Sequence, residues 1–131
     1  ASLVALGGFD THSAQAADHA RLLGALDTAL GAFLDRTATK PVTVLVYSEF
    51  GRRVEPNASA GTDHGQAGTV LLAGKVRAGH HGEPPPLDRL ADGDLATTVD
   101  LRAVYAAVLE GVLGIEAADV LERPPAALTL V

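Results

Sequence analysis

The chain has 131 residues, 47% of them hydrophobic, and a formal charge of −6 from 10 basic and 16 acidic side chains. It can bury a core, and long-range disorder is excluded by its apolar content. The acidic balance, with no basic run, argues against nucleic acid as a partner. The absence of cysteine removes thiol catalysis, thiolate ligands and disulfides.

In chain order, a first strand is expected over Ser2–Leu6, an apolar run ending at Gly7-Gly8. A helix follows from about Ala14 to Asp35 with Ser13 as N-cap. Leu22, Leu23, Leu26, Leu30, Phe33 and Leu34 recur there at three and four and mark one buried face. Lys40-Pro41 interrupts the chain before a second strand, Val42–Tyr47, whose unbroken apolar run suits a strand covered on both faces. Residues 51–67 form a long polar loop, a length that is uncommon unless functional. A third strand is expected over Thr69–Ala73, then an irregular stretch over 74–97 rich in Gly and Pro. A last long helix starts at its N-cap Asp100, presents Leu101, Val104, Tyr105, Val108, Leu109, Val112 and Leu113, and stops at Gly114 in the C′ position. A short helix near Ala117–Leu121 and an apolar segment, Ala127–Val131, close the chain.

This order predicts one domain over 1–131, an α/β layered sandwich with a mainly parallel sheet. Three or four strands are few for such a sheet, which points to further strands from a missing segment or a partner chain. No apolar stretch reaches the roughly 18–20 residues of a membrane span. No signal peptide is visible, and the chain contains no methionine and opens on a strand-like run. It reads as a mature or truncated piece whose upstream targeting segment is gone.

Three motifs concentrate the residues capable of metal or oxyanion chemistry: Gly7-Gly8-Phe9-Asp10-Thr11-His12, Ser48-Glu49-Phe50-Gly51-Arg52-Arg53 and Gly61-Thr62-Asp63-His64-Gly65. In parallel α/β sheets the loops after the strands share one edge, where ligands bind. Asp10 and His12 stand two apart past a strand, so both side chains face one way and can ligate one ion. The bland alternative is an Asp that caps the helix beside an exposed His. His64 or Asp63 would complete a three-ligand site with an open fourth position, or else belong to a surface turn. Glu49 is a ligand, a general base or a partner for Arg52; Arg52 and Arg53 suit a bidentate anion contact or a structural ion pair. His19 reads as a helix-face residue and His80-His81 as surface residues. Asn57-Ala58-Ser59 formally matches a glycosylation acceptor.

The ordered set resembles a bacterial family catalogued as domain of unknown function 1501. It is carried by residues 7–15, by Ser48-Glu49-Phe50-Gly51-Arg52-Arg53 and by Ala60-Gly61-Thr62-Asp63-His64-Gly65. Gly82-Glu83-Pro84-Pro85 and residues 98–105 complete it. The resemblance implies an exported protein, periplasmic or extracellular, grouped with the alkaline phosphatase and sulfatase superfamily. It implies that superfamily's α/β/α sandwich and a metal-dependent hydrolase of phosphate or sulfate esters, with that small-molecule ester as its partner. Asp10, His12 and His64 would hold a divalent ion, zinc foremost, with manganese, iron and calcium as alternatives. Glu49 would act as base or further ligand, and Arg52 would contact the oxyanion.

The superfamily spaces its first Asp and His four apart, whereas Asp10 and His12 stand two apart. Its second Asp-His pair is replaced here by Glu49-Phe50, which puts a second metal in doubt. Its nucleophile has no counterpart in this chain, so the chain looks like the C-terminal half of such a domain. It is expected to be inactive alone and to associate with the other half or with itself. The rival reading is a non-catalytic exported module that keeps the fold for binding or assembly.

Overall fold

The computed structural model describes residues 1–130; the last residue of the expected Ala127–Val131 segment lies outside the described residues. Helix α1 spans Gln15–Thr37 and strand β1 spans Thr43–Val46. Two very short strands follow, β2 at Gly51–Arg52 and β3 at His64–Gly65, and then β4 at Leu71–Gly74. Helix α2 covers Leu101–Val108 and runs into a π-helical turn, Leu109–Leu113. A single 3₁₀ turn at Ala117–Asp119 precedes the C-terminal segment.

The strands form two separate two-stranded antiparallel sheets, β1 with β4 and β2 with β3. This overturns the expected layered sandwich with a mainly parallel sheet. A parallel neighbour needs a long crossover, usually a helix, between the paired strands. Here the link from β1 to β4 contains no helix; it holds the β2–β3 pair and its loops. The expected first strand does not form either. Leu3 and Val4 are 84% and 89% exposed, and residues 1–12 adopt no regular structure. With no strand ahead of α1, no βαβ unit is completed. The unbroken apolar run of β1 reflects partial cover on both faces, since all four of its residues are half-buried.

The core lies where α2 meets the β1–β4 pair. Val104, Ala107 and Leu130 are buried together, with Leu45, Leu72, Val99, Leu101 and Leu128 packed around them. The C-terminal segment is tied across this core: Arg77 N–H donates to the Leu130 carbonyl at 2.8 Å and Leu128 N–H to the Ala103 carbonyl at 3.4 Å. Asp100 caps α2 as its sequence context indicates, accepting from Arg102 N–H at 2.9 Å. Gly114, at φ 65°, ends the π-helical turn in the left-handed conformation that glycine adopts without a steric penalty.

Helix α1 begins differently from expectation. Ser13 makes no cap; Ala14, at φ 44°, holds the N-cap position with no side-chain hydrogen bond. The orphan donors at the helix start are met instead by another loop: Ala14 N–H donates to Ser59 carbonyl at 2.9 Å and Gln15 N–H to Ala60 carbonyl at 3.0 Å. Along the helix only Leu22 is buried; Leu26, Leu30 and Leu34 are half-buried and Leu23 and Phe33 are exposed, so the apolar stripe is only partly covered. No helix of the structure is long and apolar enough to cross a membrane.

Two outcomes follow from this packing. Leu130→Ala should destabilise by about 2–5 kcal/mol in urea unfolding, as expected of a buried leucine, while Val120→Ala, at an exposed position, should stay within about 0.5 kcal/mol. Arg102, through side-chain and backbone hydrogen bonds, holds the Asp100 carboxyl below the ordinary carboxylate value. A carboxyl depressed in the folded state stabilises above its unfolded pKa, and that contribution fades as pH falls through the folded value. The melting-temperature gap between wild type and Asp100→Asn should therefore be open near neutral pH and close below about pH 4. A gap constant across that range would refute it.

Candidate metal centre

The three motifs meet through backbone pairing and two polar side chains. The β2–β3 register sets Arg52 opposite His64 and Gly51 opposite Gly65, and Arg53 N–H donates to Asp63 carbonyl at 3.0 Å. The second and third motifs are thereby one structural unit. Arg52 reaches from this unit to the first motif. Its guanidinium donates to the backbone carbonyls of Thr62 and Phe9, and lies 3.4 Å from Thr11 Oγ1. Asn57 makes the second link, donating from Nδ2 to the His12 carbonyl at 3.0 Å. Gly61 permits the contact, because a Cβ there would overlap the His12 carbonyl group.

These links bring Asp10, His12 and His64 to one point. Asp10 Oδ1 lies 2.7 Å from His64 Nε2 and 2.9 Å from His12 Nε2, and the two imidazole nitrogens are 3.2 Å apart. The three donor atoms lie within 4.8 Å of one another, a group that could hold a metal ion. A tetrahedral ion bonded at about 2.0–2.1 Å would space its ligands about 3.3–3.4 Å apart, so a widening of less than about 1 Å would seat one. The side chains are 65%, 46% and 45% exposed, which leaves a face open to small molecules. His64 is the chief cause of an Asp10 carboxyl held below its ordinary value; desolvation opposes this, and His12 adds to the lowering.

Asp63 faces a different atom. Its Oδ1 is 3.4 Å from His12 Nδ1, the ring nitrogen turned away from Asp10 and His64. Asn57 donates to the same oxygen at 3.2 Å. Asn57 is the main cause of a lowered Asp63 carboxyl, with His12 next.

The second motif contributes support. Phe50 stacks on the His64 ring at 3.9 Å between centroids with planes 8° apart, and the Arg52 guanidinium carbon lies 5.0 Å from the Phe50 centroid. Phe50 offers no donor atom and instead sets the plane of the His64 ring. Arg52 meets carbonyls, and no ion pair joins it to a carboxylate among the described residues. Glu49 is exposed just past β1, and no hydrogen bond joins it to Asp10, His12 or His64 among the described residues. His19 sits on α1 with its ring edge-on to Phe9 at 6.0 Å. His80 and His81 are exposed and outside the donor group; His81 Nε2 lies 3.0 Å from the Arg77 carbonyl. A shallow cleft of about 270 Å³ between the end of α1 and Lys75 includes none of the three motifs in its lining.

Two contributors escaped the reading of the sequence. Asn57 was legible only as part of a glycosylation triplet, although Asn-x-Ser-x-Gly is also the composition of a side-chain-closed turn. Phe50 gave no signal beyond its place next to Glu49.

The protein family described as "Protein of unknown function (DUF1501)" matches residues 3–124. The chain belongs to the DUF1501 family. No curated protein and no solved structure matches it. The DUF1501 match spans all three motifs and the α2 segment.

Charge-assisted hydrogen bonds of the Arg52 kind contribute about 1.5–3 kcal/mol. Arg52→Ala should therefore lower unfolding stability by about 2 kcal/mol or more. Arg52→Lys should recover less than half of that, because one ammonium cannot reproduce the fork across two carbonyls. Full recovery by lysine would show that charge alone, without the fork, holds the motifs.

Proposed function

We propose that this DUF1501 protein is a metal-dependent hydrolase of phosphate or sulfate esters whose divalent ion is held by Asp10, His12 and His64. The observation that carries the reading is the convergence of one carboxylate oxygen and two imidazole nitrogens from segments about fifty residues apart. A mixed N/O set of three protein ligands with an open side is the pattern of catalytic zinc, and it also suits manganese or iron. Such an ion, when bound, supplies Lewis-acid stabilisation of charge developing on an ester oxygen.

The protein's own groups prepare that site. Asp10 brings one negative charge and the two imidazoles bring none, so a divalent ion would keep a net positive charge toward an anionic ester. Phe50 holds the His64 ring in plane, and Arg52 acts as a brace for the loops carrying Asp10 and His64. Glu49, exposed after β1, is the carboxylate we assign to proton transfer. The grouping with the alkaline phosphatase and sulfatase superfamily that the resemblance implies supports the ester class, and an exported location belongs to the same reading.

One observation favours a second reading, a module that binds metal without turnover. The donor side chains are about half exposed, and an open site lacks the walls that exclude water from a reacting centre. The decisive experiment is calorimetric titration of the full-length protein with zinc and cobalt, joined to assays on p-nitrophenyl phosphate and p-nitrocatechol sulfate. One ion per chain is expected, with affinity falling by more than about 100-fold in His64→Ala, beyond the range of losses seen for supporting residues. Turnover of either ester that requires the metal and His64 supports the hydrolase. Stoichiometric binding without turnover supports the module. Failure to bind any divalent ion would sink both.

A further inference from the structure

Resting on the metal reading, we propose that Asp63 and Asn57 are positioning residues that orient His12 as a ligand, and that Asp63 does not itself ligate. Sequence alone allows Asp63 or His64 to complete the donor set. The geometry separates them. His64 Nε2 joins Asp10 Oδ1 and His12 Nε2, whereas Asp63 Oδ1 lies 3.4 Å from His12 Nδ1. A carboxylate at Nδ1 accepts a hydrogen bond from Nδ1–H and leaves the Nε2 lone pair directed at the other two donors. Metal-binding histidines use this arrangement to fix the tautomer and raise ligand basicity.

Asn57 makes the arrangement rigid. Its Nδ2 donates to Asp63 Oδ1 at 3.2 Å and to the His12 carbonyl at 3.0 Å. Its Oδ1 accepts from Ser59 N–H at 2.9 Å and from Gly61 N–H at 3.1 Å. Two donors and two acceptor positions are all an asparagine amide has, and all four are used. The side chain therefore ties the orientation of Asp63, the backbone of His12 and the turn over 57–61 into one network. Aspartate at 57 would keep the size and the two acceptor contacts but would put a second negative charge against Asp63.

The test is cobalt(II) binding to the full-length chain, read as Kd and as the visible absorption of the bound ion. Wild type, Asp63→Ala, Asp63→Asn and Asn57→Asp are compared with His64→Ala as the standard for a lost ligand. Loss of a carboxylate that hydrogen-bonds a ligating histidine typically changes affinity by about 10–100-fold. Asp63→Ala and Asn57→Asp should weaken cobalt binding within that range while the absorption bands keep their positions. Asp63→Asn keeps an acceptor for Nδ1–H and should weaken binding less than Asp63→Ala, again with unshifted bands. Displaced bands in either Asp63 variant, like those of His64→Ala, would make Asp63 a ligand and overturn the proposal. Wild-type affinity in Asp63→Ala would overturn it too, while leaving the metal reading intact. A wild-type protein that takes up no cobalt would defeat both together.

Discussion

The candidate metal site depends first on the Arg52 guanidinium. It spans the Phe9 carbonyl, one residue before Asp10, and the Thr62 carbonyl, two residues before His64. The β2–β3 pair that carries Arg52 is only two residues long on each side, too short to fix a site by its ladder alone. The donor side chains are about half exposed, so burial contributes little to holding them. Exposed ion pairs between carboxylate and imidazole are weak as well. Bidentate bonding to two backbone carbonyls is the stronger class of contact, and it acts on the chain itself rather than on the tips of side chains.

The division of labour in the fold follows from this. Apolar burial is concentrated where α2 and the C-terminal segment cover the β1–β4 pair. The candidate metal site lies ahead of α1 and in the segment between β1 and β4, outside that cluster. Its cohesion is polar: the carbonyls of Ser59 and Ala60 take the first N–H groups of α1, and Thr62 Oγ1 donates to Gln15 Oε1 at 2.9 Å. Because this docking meets the orphan donors of the helix, moving the 57–62 loop would also unsatisfy the start of α1. Helix and loop therefore support each other although only Leu22 of α1 is buried.

What the sequence revealed divides along physical lines. Asp100 and Gly114 were legible because caps are local: each depends on a few neighbouring backbone groups, and the structure uses both as read. Helix α1 was legible from periodicity, with bounds at Gln15–Thr37 close to the expected Ala14–Asp35. The gathering of Asp10, His12 and His64 was legible as a set of residue types, although the route to it was not. The reading brought them together at the edge of a parallel sheet; the structure does so through an antiparallel pair and an arginine brace. Strand direction is a property of partners, and an apolar run such as Val42–Tyr47 is silent about them. Ser2–Leu6 has strand composition, but composition without a hydrogen-bonding neighbour makes no strand. Asn57 was hidden for another reason, since its four hydrogen bonds include one to His12, forty-five residues away.

Phe50 shows that a departure from a motif can carry a structural role. Taken as a replacement for a ligand, it argues for a site that has lost its chemistry. In the structure its ring lies parallel to His64 at stacking distance, and the Arg52 guanidinium approaches its face. Phe50 is also the aromatic partner of Arg52, whose stacking and bidentate bonding draw on the same planar group. Phenylalanine at this position therefore does two things at once: it fixes the plane of an imidazole donor and it helps hold the guanidinium that joins the loops.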